Sequence, residues 1–250
     1  MTQVRGNEVL FHAGAEDVAE ALAVRLTARL ADLQSHSRIP KLCLTGGRIA
    51  TRAYQRLATD GSRSAVDWSK VDLWWGDERF VPADDDDRNA KQALSLLQPA
   101  LPLAPTRIHP MPASDAGLDL DAAAEAYATE LGSTTFDLCL LGMGPDGHVA
   151  SIFPEHPSSH ATGAVIAVRS APKPPPLRTS VTLPVINASR EVWFCVTGDD
   201  KAAALTMALL GTGPVQLPAA GVAGTERTLW LVDKAAASQL PSDLIPPGVF

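Results

Sequence analysis

A histidine and an aspartate two residues apart lie in a glycine-rich stretch, residues 142–148, directly after a run of apolar residues. Imidazole titrates near neutral pH, so His148 could take a proton from water and return it later in a reaction. A neighbouring carboxylate such as Asp146 can fix the tautomer of the ring and raise its basicity. The alternative is that both residues only cap the start of a helix. The pair predicts general-base catalysis if a substrate site lies beside it.

The same stretch matches the G-x-G-x-x-G pattern of dinucleotide-binding loops, with glycines at 142, 144 and 147. Three features argue against a nicotinamide cofactor. Pro145 stiffens the loop, a polar His148 follows the third glycine, and the next predicted strand lacks a terminal acid for the ribose hydroxyl. We therefore expect no dinucleotide here.

Two further stretches could bind an anion. Thr45, Gly46, Gly47 and Arg48 stand between a predicted strand and a predicted helix, where glycines allow close approach and the helix N-terminus offers free N–H groups. Lys201 follows residues 198–200 in the first turn of another predicted helix, where a cation is unfavourable unless an anion is bound. In each case the alternative is an ordinary turn or helix start without a ligand.

Charged side chains also stand at two other places. Asp77 and Glu78 precede Arg79 after a predicted strand, and together such groups can hold hydroxyls and an anion. Arg178 follows a proline-rich run, residues 172–176. A surface salt-bridged turn and a plain edge-strand arginine are the alternatives.

The elements that must position these residues alternate between short strands and longer helices. Apolar runs predict strands at 41–45, 71–76, 136–141, 165–168, 190–197 and 228–232, and helices at 15–33, 48–58, 89–97, 119–131 and 201–210, with loops at 77–87 and 99–112. This pattern indicates a single α/β domain over residues 1–250, with a mainly parallel sheet covered on both faces. Ligands of such sheets bind beyond the carboxyl ends of the strands, where all four motifs that directly follow strands lie.

The amino-acid composition limits the classes of partner that the protein could bind. The net charge of −7 argues against nucleic acid as the main partner, although 15 of the 21 basic residues are arginines suited to phosphate or carboxylate. No apolar run reaches the roughly 18 residues that a membrane span needs, and the N-terminus has no signal-peptide pattern. Cys43, Cys139 and Cys195 lie far apart and indicate neither a disulfide framework nor a zinc site. We expect a cytoplasmic protein, monomeric or weakly self-associating, without metal or cofactor.

The combined motifs resemble the 6-phosphogluconolactonase family. The segment 136–154, FDLCLLGMGPDGHVASIFP, resembles the family signature, and segments 74–82, 172–182 and 198–202 resemble three further motifs in family order. The last of these is shared with glucosamine-6-phosphate deaminases. Two positions depart from the family pattern, since Arg48-Ile49-Ala50 follows the glycine pair and Arg88 stands between Asp87 and Asn89.

This resemblance implies a Rossmann-like three-layer α/β/α fold and hydrolysis of 6-phospho-D-glucono-1,5-lactone to 6-phospho-D-gluconate in the oxidative pentose phosphate route. It implies His148 as general base, Asp146 as its companion and Arg79 near the reacting lactone or its phosphate. The implied substrate and phosphate ligands are Thr45, Gly46, Gly47, Arg48, Asp77, Gly144, Arg178 and Lys201. Two alternatives stay open: an amino-sugar phosphate deaminase or isomerase, and a sugar-phosphate-binding module without activity.

Overall fold

The strands and helices are those of a computed structural model, which describes residues 2–4, 6–59 and 65–248. Its strands are β1 Thr2–Val4, β2 Asn7–His12, β3 Lys41–Leu44, β4 Asp72–Trp75, β5 Asp77–Arg79, β6 Ile108–His109, β7 Leu138–Leu141, β8 Val165–Val168, β9 Arg178–Val181, β10 Glu191–Val196 and β11 Arg227–Asp233. Its helices are α1 Ala15–Ser35, α2 Arg48–Thr59, α3 Asn89–Leu97, α4 Leu120–Leu131, α5 Leu183–Asn187 and α6 Ala202–Leu210.

The larger sheet has the strand order β1-β2-β11-β10-β7-β3-β4-β6 within the described ranges. β1 pairs antiparallel with β2, and every other pairing in this sheet is parallel. The carboxyl ends of β3, β4, β7 and β10 therefore meet at one edge. The predicted mainly parallel sheet is confirmed.

Alternate side chains of the sheet enter two separate cores. Leu42 and Leu44 of β3 pack with α1, α2 and α3, whereas Cys43 between them packs on the opposite face with α4 and α6. All six residues of β10 are buried because helices cover both faces. This arrangement is the predicted three-layer α/β/α sandwich. That residues 1–250 form one domain stays a prediction, which the pairing of β2 with β11 from opposite ends of the chain supports.

A second, antiparallel sheet of β5, β9 and β8 was not predicted. The expected loop over 77–87 is wrong at its start, because residues 77–79 form β5 and pair with β9. These two strands carry buried polar residues, among them Asp77, Glu78, Thr179 and Ser180, and so lack the apolar pattern of a strand. β6, inside the expected irregular segment 99–112, and the β1–β2 hairpin were also missed.

Several predicted elements have the expected bounds. α3 and β8 match residue for residue, and α1 and α2 extend past their predicted ends by two residues and one residue, respectively. Lys201 belongs to a short 3₁₀ turn, Asp199–Lys201, directly before α6. Within the described ranges, no helix combines the length and apolar character that crossing a bilayer requires.

Candidate active site

A cleft of about 420 Å³ opens at the edge where β3, β4, β7 and β10 end. Ten of the eleven site residues expected from the sequence line it: Thr45, Gly46, Gly47, Arg48, Asp77, Arg79, Gly144, His148, Arg178 and Lys201. The eleventh, Asp146, lies against His148. The structure thus brings the four strand-end motifs and Arg178 together, while the roles of these residues stay predictions.

His148 and Asp146 form a close pair. The Nδ1 atom of His148 lies 2.5 Å from Oδ1 of Asp146, so this contact assigns the Nδ1 proton to a bond with the carboxylate; in the neutral ring the lone pair is then on Nε2. The ring packs against Phe153, with 4.8 Å between ring centroids. Burial alone would raise the pKa of Asp146, but the hydrogen bond and charge of His148, together with the charge of Lys173, hold that pKa well below its usual range. Asp146 is therefore an ionised carboxylate that fixes the orientation of the His148 ring.

The glycines of the same loop have a structural reason. A Cβ on Gly144 would lie 1.9 Å from Nδ1 of His148 and 2.4 Å from Oδ1 of Asp146. The Gly144 N–H donates to the carbonyl of His148 over 3.0 Å, which closes the loop around the pair. Gly147 adopts a φ of +80°, which a side chain disfavours. The G-x-G-x-x-G spacing thus shapes the support of His148.

Asp77 is buried where β5 begins. Its Oδ2 accepts a hydrogen bond from the Ser151 hydroxyl over 2.7 Å. The side-chain amide of Asn89 donates to the backbone carbonyl of Asp77 over 2.9 Å. Nη1 of Arg178 lies 3.9 Å from Oδ2. These contacts fix Asp77 in the wall of the cleft.

Glu78 and Arg79 have different surroundings. Glu78 is fully buried and accepts the backbone N–H groups of Arg79, Asn89 and Ala90, at 2.7 to 2.9 Å. Burial raises the pKa of Glu78, and the nearby Arg88 opposes that rise. Glu78 therefore anchors the start of α3, while Arg79 lines the cleft and donates through Nη1 to the carbonyl of Asp87 over 2.5 Å.

The side of the cleft that is predicted to bind an anion is built from β3, α2 and the turn before α6. A Cβ on Gly46 would lie 1.9 Å from the side-chain oxygen of Asn89, so only glycine fits. Arg48 is exposed at the first position of α2. Burial, followed by the charges of Lys173 and Arg48, lowers the pKa of Lys201, although Asp200 opposes this shift.

Lys173 and Asn89, for which no role was predicted from the sequence, also line the cleft. Nζ of Lys173 lies 3.7 Å from Oδ1 of Asp146. Lys173 stands in segment 172–182, which carried the family resemblance, whereas Asn89 lies next to a position that departs from the family pattern, and neither signal indicated a contact. Asn89 supports Gly46 and Asp77 at once, a link between two strand ends that spacing cannot indicate.

The charged side chains that line the cleft are mostly cationic. Five cationic side chains, Arg48, Arg79, Lys173, Arg178 and Lys201, line it together with one carboxylate, Asp77. Within the part of the chain that the structure describes, no group of three or more His, Cys, Asp and Glu side chains could hold a metal ion. An imidazole beside these cations suits attack of water on an anionic ester or lactone.

Comparison with known proteins agrees with this geometry. A family model described as glucosamine-6-phosphate isomerases/6-phosphogluconolactonase matches residues 13–230. The chain belongs to this family. Within the family it is 50% identical over 254 residues to a protein of Streptomyces coelicolor named 6-phosphogluconolactonase, covering 96% of this chain and 97% of that one. It is 47% identical over 212 residues to a protein of the same name from Mycobacterium tuberculosis, covering 80% and 85% of the two chains.

A solved structure of the family shares the fold. The crystal structure of 6-phosphogluconolactonase from Thermotoga maritima superposes with a TM-score of 0.81 at 28% identity, covering 91% of this chain and all of that one. The observed three-layer architecture is therefore that of a family member with the lactonase name.

Proposed function

We propose that this chain hydrolyses 6-phospho-D-glucono-1,5-lactone to 6-phospho-D-gluconate, as a 6-phosphogluconolactonase of the oxidative pentose phosphate route. The observation that carries the proposal is the His148–Asp146 pair, whose imidazole lines the same cleft as five cationic side chains. The 50% identity with a 6-phosphogluconolactonase over nearly both whole chains supports the substrate.

His148 acts as the general base in the first step. Asp146 accepts the Nδ1 proton, so the lone pair on Nε2 is free to take a proton from water as the water oxygen attacks C1 of the lactone. Attack forms a C–O bond and moves the carbonyl electron pair onto oxygen. The ionised Asp146 stabilises the imidazolium that results.

The second step returns the proton. The tetrahedral oxyanion collapses to a carboxylic acid as the bond from C1 to the ring oxygen breaks, and the His148 imidazolium protonates that oxygen. Arg79 lines the cleft and is suited to stabilise the oxyanion or to contact the phosphate. The product acid then loses its proton to solvent.

The far end of the substrate carries the phosphate. Lys201, Arg48 and the N–H groups around Gly46 and Gly47 form the part of the lining best suited to hold it, since α2 begins at Arg48. Anchoring the phosphate orients C1 toward His148 and selects phosphorylated lactones. A cytoplasmic location and a monomeric or weakly associated state stay predictions.

The proposal is tested by assaying the purified protein with freshly made 6-phosphogluconolactone and subtracting spontaneous hydrolysis. We expect rapid formation of 6-phosphogluconate and no ammonia from glucosamine 6-phosphate. Ammonia release would instead support the deaminase alternative, and tight binding of 6-phosphogluconate without turnover would support a binding module.

A further inference from the structure

Arg178 is engaged with the proline-rich segment beside the cleft. We call residues 172–176 the proline strap. Nε of Arg178 donates to the carbonyl of Pro175 over 3.1 Å, and Nη2 donates to those of Lys173 and Pro174, also over 3.1 Å. The guanidinium is buried and lies 5.7 Å from the centre of the Phe153 ring, which itself packs on His148.

These bonds use three of the five N–H donors of Arg178. Nη1 has no bond to the strap, and this atom faces Oδ2 of Asp77 at 3.9 Å. A buried guanidinium whose forked donors meet three backbone carbonyls fixes the path of that backbone. Any contact with a phosphate, the role that the resemblance implied for Arg178, would therefore be made by Nη1.

The strap in turn places Lys173. Its carbonyl is one of the three held by Arg178, and its ammonium lies 3.7 Å from Oδ1 of Asp146, the same oxygen that bonds Nδ1 of His148. Lys173 is 42% exposed and lines the cleft, so its charge faces the pair from the open side.

We propose that Arg178 is a positioning residue, which holds the proline strap so that the Lys173 ammonium stands beside Asp146 and counters the pull of that carboxylate on the His148 ring. The inference rests on the proposed role of His148. A positive charge near an imidazole disfavours the imidazolium, so Lys173 offsets part of the opposite effect of Asp146. Without Lys173, the pair holds its proton more tightly and fewer molecules carry a free base in mild acid.

Other charges around His148 act on the same equilibrium. Asp146 lies in the same loop as His148. Arg178 packs against Phe153, which contacts the His148 ring. The other charged residues that line the cleft are Asp77, Arg79, Arg48 and Lys201. Of these, only Asp146 carries a direct hydrogen bond to the ring among the described contacts. Lys173 pairs with that carboxylate, so its substitution is the most direct single test.

The experiment is a pH profile of kcat/KM for Lys173→Met, with an NMR titration of the His148 ring in the absence of substrate. We expect the acidic limb and the ring titration to move up by roughly half a pH unit, which is about a threefold loss of kcat/KM below the limb. Lys173→Arg keeps the charge and should leave both unchanged. Lys70→Met removes an exposed cation that follows no strand end of the cleft and controls for net charge.

A double-mutant cycle tests the link to Arg178. Arg178→Lys keeps a positive charge but loses the fork that holds three carbonyls. We expect it to shift the acidic limb in the same direction as Lys173→Met, and the double variant to shift no further than the larger single effect. Circular dichroism and thermal unfolding establish that each variant is folded; Lys173→Met alone decides the matter if Arg178→Lys is not.

Two results overturn the inference. One is an unchanged ring titration in Lys173→Met. The other is a raised KM for the phosphorylated lactone alone, with glucono-1,5-lactone and the pH profile unaffected, which would make Lys173 or Arg178 a phosphate ligand. Failure of the proposed function is distinguished from both, because it appears as absent lactonase activity in the unaltered protein.

Discussion

At the scale of single residues, the cleft brings together a histidine–carboxylate pair and several cations. His148 bonds Asp146 through Nδ1, while Lys201 and Arg48 add positive charge to the lining. The sequence indicated all four residues because each follows a strand. It could not indicate that Lys173 reaches Asp146, since that contact depends on the path of the strap.

Lys201→Met tests the binding end. We expect KM for 6-phosphogluconolactone to rise about 10- to 100-fold, because a hydrogen bond to a charged group contributes about 1.5–3 kcal/mol. Hydrolysis of glucono-1,5-lactone should change little, since it has no phosphate. Steady-state kinetics with both lactones measure this, and an equal loss on both would remove Lys201 from the phosphate site.

Lys201 also predicts a pH dependence of binding. Its pKa is lowered, mainly by burial, so its charge is lost at a lower pH than that of an exposed lysine. Affinity for 6-phosphogluconate should therefore fall as the pH rises toward the alkaline range, and Lys201→Arg should retain affinity there. Calorimetric titrations at increasing pH check this; identical profiles for both proteins would contradict it.

Asp146 predicts how acid affects stability. Its pKa is lower in the folded chain than in the unfolded one, so its carboxylate stabilises the fold above the ordinary carboxyl pKa of about 4. That contribution is lost as the pH falls through the lowered value. Urea unfolding should show a stability difference between the unaltered protein and Asp146→Asn that shrinks as the pH falls below about 4. A difference that grows with acid would contradict this sign.

At the scale of elements, the loop after β7 depends on its small residues. Gly144→Ala would place a methyl group against both His148 and Asp146. We expect a loss of kcat of about tenfold or more with the fold retained, because small displacements of a catalytic base are costly. Gly163→Ala is the matched control, since its Cβ would meet nothing closer than 3.9 Å. Equal kinetics for the two variants would show that the loop tolerates the methyl group.

Predictability differed between the two sheets for a physical reason. Strands such as β7 and β10 are buried on both faces, so their apolar runs predicted them from the sequence. β5 consists of Asp77, Glu78 and Arg79, whose burial is tolerated because hydroxyls, amides and N–H groups meet the carboxylates. Polar strands that support a site carry no apolar period, so β5 was missed and β9 was foreseen only as the edge-strand alternative at Arg178.

At the scale of the whole molecule, the chain carries a net charge of −7, yet its cleft is lined mainly by cations. The cations gather there because crossovers bring several strand ends and the proline strap to one edge. The order of strands and helices predicted the convergence of the strand ends, but not that of the proline strap. It did not predict the second sheet, which places Asp77, Arg79 and Arg178 in the wall.

This charge distribution predicts a salt effect. kcat/KM for the phosphorylated lactone should fall about threefold to tenfold as salt rises from about 20 mM to about 300 mM, because counterions screen the attraction between the cleft and the phosphate. Glucono-1,5-lactone, which is neutral, should show no such fall. A matching salt dependence for both substrates would contradict electrostatic capture.

The most direct test of the account is the hydrolysis of 6-phosphogluconolactone by His148→Gln, corrected for the spontaneous reaction. His36→Gln is the matched control, an exposed histidine that also lies near an aspartate, Asp32. The account predicts that kcat of His148→Gln falls about 10²- to 10⁴-fold while affinity for 6-phosphogluconate is retained. A rate within about threefold of the unaltered protein would contradict the base role of His148.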